Sequence, residues 1–442
     1  MSSTVIVGFA RTPFGRLGGA LSSLPATTLG ATALVRALER SGADPSDIEH
    51  VVFGHVVQAG TGQNPARQVL FKSGLAKSVT AETVNKVCAS GMIAVVHAMR
   101  GIDAGAHRLV AAGGMESMSN APYLLRDARF GYRFGDGTLV DSMIYDGLWD
   151  QYFPMTMAAQ GSIVAGELRL SREEQDRFAL ESHKRAHAAH EAGDFKDEIV
   201  PVRVASKAKG KVVVETLPRR GEIRVPAAVG GRSAVWDHEP SEQFTLQYER
   251  YAPFVTGDAP STLVERDEAV RADANLEALA KLKPLEAGGT ITAGNAPGVN
   301  DGAAALVLAN ERYANERGLH ALANVVDHAS AAWDSPYIAL TPAMAAQRLL
   351  DKNGLRASDV HVWEINEAFA TVAITSARNL GLDVERINRY GGAVAMGHPV
   401  GASGARLTMT VVNQLRKRGG GIGVAAICSG GGQGDALLLK VE

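Results

Sequence analysis

A chain of 442 residues is too long for one comfortable hydrophobic core, so at least two packed units are expected. A net charge of −2 gives no electrostatic case for nucleic acid, and no apolar run is long enough to span a bilayer. Two cysteines cannot make a disulfide framework and point to a reducing compartment, read here as the cytoplasm.

The chain opens on a strand, Val5–Val7, without the charged and apolar regions of a signal peptide. A helix is expected over Thr28–Ser41, stopped by Gly42, then a strand over Val51–Val57. Asn85-Lys86-Val87-Cys88-Ala89-Ser90-Gly91-Met92 leads into a helix over Ala89–Gly105, with Cys88 expected in its first turn and its thiol eased towards ionisation by the helix dipole. A strand over Arg108–Gly114 follows. The alternation argues for a layered α/β fold.

From about Glu116 to Thr290 the pattern changes, and we read this region as a cap inserted over the site. It holds a helix, Ser171–Ala192, with a strong capping signal in Ser171-Arg172-Glu173-Glu174. It also holds an irregular stretch, Val204 to Thr262. Strands return at Val360–Ile365, Val424–Ile427 and Ala436–Val441, with a helix over Gly401–Arg418 ended by Gly419.

One internal similarity stands out. Val87-Cys88-Ala89-Ser90-Gly91 opens a helix and precedes Val110-Ala111-Ala112; Val400-Gly401-Ala402-Ser403-Gly404 opens a helix and precedes Val424-Ala425-Ala426 at almost the same separation. Two related halves facing each other would gather Cys88 from one half and His398 and Cys428 from the other. His398 sits among glycines that let backbone approach a ligand. Cys428 opens Ser429-Gly430-Gly431-Gly432, whose amides can converge on an anion. Asn366-Glu367 follows a strand end and reads either as a site pair or as a helix cap with Asn366 in the capping role. Two thiols and a histidine in such loops suggest covalent acyl transfer.

Together these segments resemble the thiolase family. NKVCASGM is similar to its nucleophile motif, NEAFA to its asparagine motif, GGAVAMGHPVGASGAR to its histidine motif and CSGGGQG to its second-cysteine motif, in family order from about Val5 to Leu439. The resemblance implies an α/β fold of two pseudo-symmetric layered halves (α-β-α-β-α) with an inserted loop domain. The N-terminal half would be 1–117, completed by 290–310; the loop domain 118–289; the C-terminal half 311–442.

The resemblance also implies roles. Cys88 would be the nucleophile, His398 the base that activates it and then helps bind the thioester oxygen, and Cys428 the acid/base at the α-carbon or leaving thiol. Asn366 would hold a water in one oxyanion hole, and the amides of Cys88 and Gly430 would form the other. Met157, Ala293, Gly294 and Phe369 would contact the acyl-CoA. The substrates would be acetyl-CoA, acyl-CoA and CoA, with no further cofactor, no metal and no nucleic acid partner. The first expectation is interconversion of acetyl-CoA with acetoacetyl-CoA and CoA. Thiolysis of longer 3-oxoacyl-CoA is the second, and acyl-CoA binding without turnover a third. Cys428 argues against a decarboxylating ketoacyl synthase.

The segment from Gly131 to Leu148 resembles the loop that assembles biosynthetic thiolases into tetramers, so a homo-tetramer is expected. Three features depart from the family. Pro297 stands where a serine contacts pantetheine, and proline offers neither hydroxyl nor N–H. Thr156 stands where histidine is usual, with Gly161-Ser162-Ile163 nearby in place of Ala-Glu-Asn. The stretch from about Ser206 to Thr262 is longer than the family's by roughly 50 residues, long for a loop. It carries Lys207, Lys209, Lys211, Arg219, Arg220, Arg224 and Arg232, then Trp236, Phe244, Tyr248, Tyr251 and Phe254. Either it is a solvated hairpin with a packed loop, or its basic part reaches CoA phosphates, or the whole covers the acyl pocket.

Overall fold

The computed structural model describes residues 3–205 and 261–442. The basic and aromatic residues of the long stretch lie outside them, and so does any role for that stretch. Its two ends do meet: Val202–Ala205 pairs antiparallel with Ser261–Val264.

The N-terminal half contributes strands β1 (Thr4–Arg11), β2 (His50–Gly54), β3 (Thr80–Val84), β4 (Leu109–Ser117) and β5 (Asn300–Asn310), with helices α1 (Ala26–Ser41), α2 (Pro65–Lys72) and α3 (Ser90–Asp103). The intervening region holds α4 (Met157–Glu167) and α5 (Arg172–Ala192). The C-terminal half contributes β6 (Ala323–Ala332), β7 (Val362–Ile365), β8 (Gly421–Ser429) and β9 (Gln433–Val441), with α6 (Thr341–Asn353), α7 (Ala370–Asn379) and α8 (Ser403–Arg418).

The strand order shows the two halves to be copies of one plan. In the first it runs β3-β2-β4-β5-β1, and in the second β7-β8-β9-β6. The directions match as well. β2 and β4 are parallel, as are β7 and β8; the next two pairings are antiparallel in both halves. The second half reduces the equivalent of β3 to one parallel bridge, Trp363 with Ile387. The halves join edge to edge where Thr4–Ile6 pairs with Ala323–Val325.

Alternation along each strand builds the layers. In β8 and β9, Ala425, Ile427, Leu437 and Leu439 face a central core with α3 and α8; Val424, Ala426, Ala436 and Leu438 face an outer core with α6 and α7. In the first half Val51, Phe53, Ala111 and Val307 face α1 and α2 instead. A strand buried on both faces has no polar face to alternate with, which is why these segments read as continuous apolar runs.

At the centre α3 and α8 touch near their N-termini, through Gly91 and Gly404. A methyl group on Gly404 would lie 2.4 Å from the Met92 nitrogen, and one on Gly91 2.8 Å from the Ala405 nitrogen. This approach brings the loops carrying Cys88 and His398 together.

Several boundaries differ from the sequence reading. The strand expected over Val51–Val57 stops at Gly54, because the amides of Val56 and Val57 turn to the Glu116 carboxylate, at 3.1 and 3.2 Å. Helix α3 starts at Ser90 with Ala89 as its cap, so Cys88 stands just outside the first turn. Asn366 does not cap a helix; α7 begins at Ala370 after Phe369. Ser171 does cap α5, accepting from the Glu174 N–H at 3.1 Å.

Candidate active site

Cys88 is placed by a loop held in an uncommon conformation. Val87 has φ +46, a left-handed geometry that a β-branched residue avoids at a cost of about 1–3 kcal/mol. Its N–H donates to Asn85 Oδ1 (2.9 Å), and its carbonyl accepts from Ser90 Oγ (2.6 Å). Cys88 follows directly on this turn and lines a cavity.

That cavity has a volume of about 420 Å³. Cys88 and His398 line it, with Met118, Ile144, Leu148, Ile338, Phe369 and Val400 making much of its apolar wall. Met157 and Ala293 line it too. Gly294 faces a neighbouring cavity that shares Ala293 and Ala296 with this one. Asn366 and Cys428 are fully buried and lie outside the lining.

Burial pushes the Cys88 thiol up to about 12; the backbone N–H groups of Cys88 and Gly430 oppose the rise, and the Glu116 charge adds to it. The helix-dipole expectation of an eased thiol therefore fails, because loss of solvation outweighs the helix end. Those two amides converge on Cys88 Sγ, the arrangement an oxyanion needs. Cys428 is pushed well above the ordinary thiol range by burial and then by Cys88. At rest both thiols are protonated.

His398 is set by three partners. Its N–H donates to Asn300 Oδ1 (2.8 Å), and Asn300 Nδ2 donates to the Gly15 carbonyl (2.9 Å). Its Nδ1 lies 2.5 Å from Ser403 Oγ, which itself donates to the Pro399 carbonyl (3.0 Å). The hydroxyl thus accepts from Nδ1–H, and Nε2 is left as an acceptor. Asn366 Nδ2 stands 3.4 Å from that nitrogen. Asn366 Oδ1 is buried without a partner among the described residues. Burial, and then the Arg406 cation, pull the His398 imidazole down to about 3, so it is neutral near pH 7.

Two buried carboxylates hold the loops. Glu116 accepts from the amides of Val56, Val57 and Gly401, the last at 3.0 Å, and so ties the end of β2 to the start of α8. Glu367 accepts from Ser182 Oγ (2.7 Å), Asn388 Nδ2 (2.9 Å) and the Val394 N–H (3.0 Å), fixing the chain that leads to His398. Sequence reasoning gave no role to Glu116, Asn300 or Ser403, and left Glu367 between a site pair and a helix start. Ser403 alone had a local signal, a hydroxyl one helical turn after the histidine loop. Nothing in a valine announces a left-handed backbone.

The departures also have places. Pro297 lines the cavity. Thr156 caps α4 and donates to Glu286 Oε1 (2.6 Å), so the cavity wall carries a carboxylate. A methyl on Gly161 would lie 2.4 Å from Ile291 and 3.1 Å from the Phe369 ring, which shows why a glycine suits this packing.

No described helix is long and apolar enough to cross a membrane. Among the described residues no group of histidine, cysteine and carboxylate side chains is arranged to hold a metal.

Known proteins match the whole chain. The family model described as thiolase, N-terminal domain, matches residues 4–223 and 250–312, and that for thiolase, C-terminal domain, matches 319–441. Acetyl-CoA acetyltransferase 2 of Arabidopsis thaliana is 43% identical, with 99% of this chain and 96% of that protein covered. The acetyl-CoA acetyltransferase of Escherichia coli is 40% identical, with 100% and 99% covered. The crystal structure of the Bacillus anthracis acetyl-CoA acetyltransferase superposes with a TM-score of 0.85 at 33% identity, covering 100% of this chain and 99% of that one. With both family models matched and this kinship over its full length, the chain belongs to the thiolase family.

Proposed function

We propose that this protein is an acetyl-CoA acetyltransferase, converting two acetyl-CoA to acetoacetyl-CoA and CoA, and back. The observation that carries the reading is the cavity lined by both Cys88 and the neutral His398, with the amides of Cys88 and Gly430 aimed at the sulfur. Relatives named for this activity support it.

Cys88 Sγ attacks the thioester carbonyl and its proton passes to His398 Nε2. The oxyanion develops against the prearranged donors, and CoA leaves as the thiol on taking the Cys428 proton, giving an acetyl-enzyme, a Cys428 thiolate and a protonated His398. Cys428 then takes the α-proton of a second acetyl-CoA. The resulting enolate carbon attacks the acetyl-enzyme, and Cys88 is released on regaining a proton. Asn366, beside His398 Nε2, holds a water that joins His398 in binding the thioester oxygen. Both thiols must be reduced, which suits a cytoplasmic setting.

The test is CoA-dependent loss of 3-oxoacyl-CoA across chain lengths. Acetoacetyl-CoA is expected to be cleaved with a kcat/KM at least about 10-fold above that of six-carbon and longer substrates. A maximum at longer chains would move the enzyme to degradation of those chains. No cleavage at all would leave acyl-CoA binding alone.

The assembly belongs to the same proposal. Phe134 is fully exposed and Tyr132 and Leu139 are open to solvent in the segment likened above to a tetramer loop, and Phe130, just before it, is almost fully exposed. Apolar side chains clustered at a surface favour association. A homo-tetramer is expected by light scattering; a dimer mass independent of concentration would refute it.

A further inference from the structure

Val87's left-handed backbone poses a question. Such a conformation persists only where its surroundings over-determine it, and part of that restraint lies outside the bonds of the N-terminal loop itself. That part comes from the other half of the molecule, through the residue before it.

Lys86 is anchored at every polar group it has. Its N–H donates to Ser90 Oγ (2.8 Å), within the loop. Its carbonyl accepts from Ser429 Oγ, next to Cys428. Its ammonium lies 2.8 Å from the Asp435 carboxylate. Asp435 is fully buried and also accepts from His328 Nε2 (2.9 Å) and Ser330 Oγ (2.6 Å). It sits on β9, paired with Ile427 of the strand that ends in Cys428 and Ser429. The carbonyl and the ammonium of Lys86 therefore both hold to the strand pair that carries Cys428 and leads to Gly430. A buried carboxylate fed by three donors is a rigid anchor, and a charge-assisted bond to it fixes direction as well as distance.

We infer that Lys86 is a positioning residue for the acyl-transfer reaction: its ion pair with Asp435, held by His328 and Ser330, locks the Cys88 loop onto the C-terminal half and so sets the sulfur against the Gly430 amide. Cys88 contributes its own amide, but the Gly430 amide comes from the opposite half. Only a link across the junction can fix that second distance. Lys86 supplies this link two residues from the nucleophile. Its role rests on the function proposed above, but its effect on the thiol does not.

The experiment compares wild type with Lys86→Met, Lys86→Arg and Asp435→Asn by two readouts. One is thiolysis of acetoacetyl-CoA. The other is the rate of iodoacetamide labelling at Cys88, followed by peptide mass spectrometry. In Lys86→Met, kcat is expected to fall about 10- to 100-fold with KM for both substrates within about 3-fold, since only positioning of the reacting group is lost. Labelling of Cys88 is expected to slow at least about 5-fold, because the thiolate loses a fixed donor. Asp435→Asn should reproduce both effects, and Lys86→Arg should recover most of the loss. A merely structural contact would lower Tm and leave the labelling rate and kcat of the folded protein alone. Labelling at the wild-type rate in Lys86→Met overturns the proposal, whatever Tm does. If Lys86→Met does not fold, Asp435→Asn decides by the same labelling criterion. Failure of wild type to cleave acetoacetyl-CoA would instead sink the functional reading, and labelling would still judge the tether.

Discussion

Cys88→Ala is expected to lower kcat for acetoacetyl-CoA thiolysis by at least about four orders of magnitude, leaving no acyl-enzyme. A base and two amide donors remain in the variant, but they have no nucleophile to serve. Cys88→Ser should fare little better, because a hydroxyl is a far weaker acid than a thiol and this site already resists ionisation. The thiol is pushed up to about 12 by burial, so the wild-type sulfur is not a standing thiolate. It becomes one only as the carbonyl arrives and His398 takes its proton. Intact-protein mass after incubation with acetyl-CoA checks this: wild type gains one acetyl group on Cys88, and the variant gains none. An acetyl group on Cys428 in either protein would overturn the assignment. The fold should tolerate the change, since one buried sulfur is exchanged for a small void worth about 1–2 kcal/mol.

His398→Ala is the second large effect, with kcat expected to fall about 10³-fold or more through loss of the proton acceptor. The wild-type enzyme should also show an unusual acid side to its pH profile. An ordinary histidine loses basicity below about pH 6.5. His398 is buried, and beside the Arg406 cation it is held down to about 3. Its free base therefore persists through the mildly acid range, and log kcat/KM should stay level from about pH 7 down to about pH 5. A limb near pH 6.5 that disappears in the variant would show that His398 titrates as a solvated group. The same burial makes a stability prediction. Below its ordinary pKa the unfolded chain protonates this histidine and the folded chain does not. Its contribution to stability is thus full above about pH 6.5 and lost as pH falls towards 3. Urea midpoints at pH 7 and pH 5 should differ by less in His398→Ala than in wild type.

The fold's repeat was legible because its strands and helix starts are local features. Helix α1 and its stop at Gly42, α5 with its Ser171 cap, and the last two strands all follow from periodicity and capping. The similarity between the segments opening α3 and α8 anticipated two copies of one plan, and the matching strand orders bear it out. Errors arose where a long-range partner overruled local pattern. Val56 and Val57 look like strand but give their amides to Glu116, and Asn366 looks like a cap but lies beside His398.

Residue type and local spacing by themselves determined which side chains were candidates: a thiol before a helix, a histidine among glycines, a second thiol before a glycine loop. Tertiary structure decided what those groups are. It buried Cys88, so its acidity fell instead of rising, and it buried His398 with the Arg406 cation in range, so the base stays neutral. Through Ser429 and Asp435 it carried the restraint on Val87 from more than 300 positions away along the chain. Solvation and electrostatics depend on what lies within a few ångströms in space, whereas sequence patterns report what lies within a few residues along the chain.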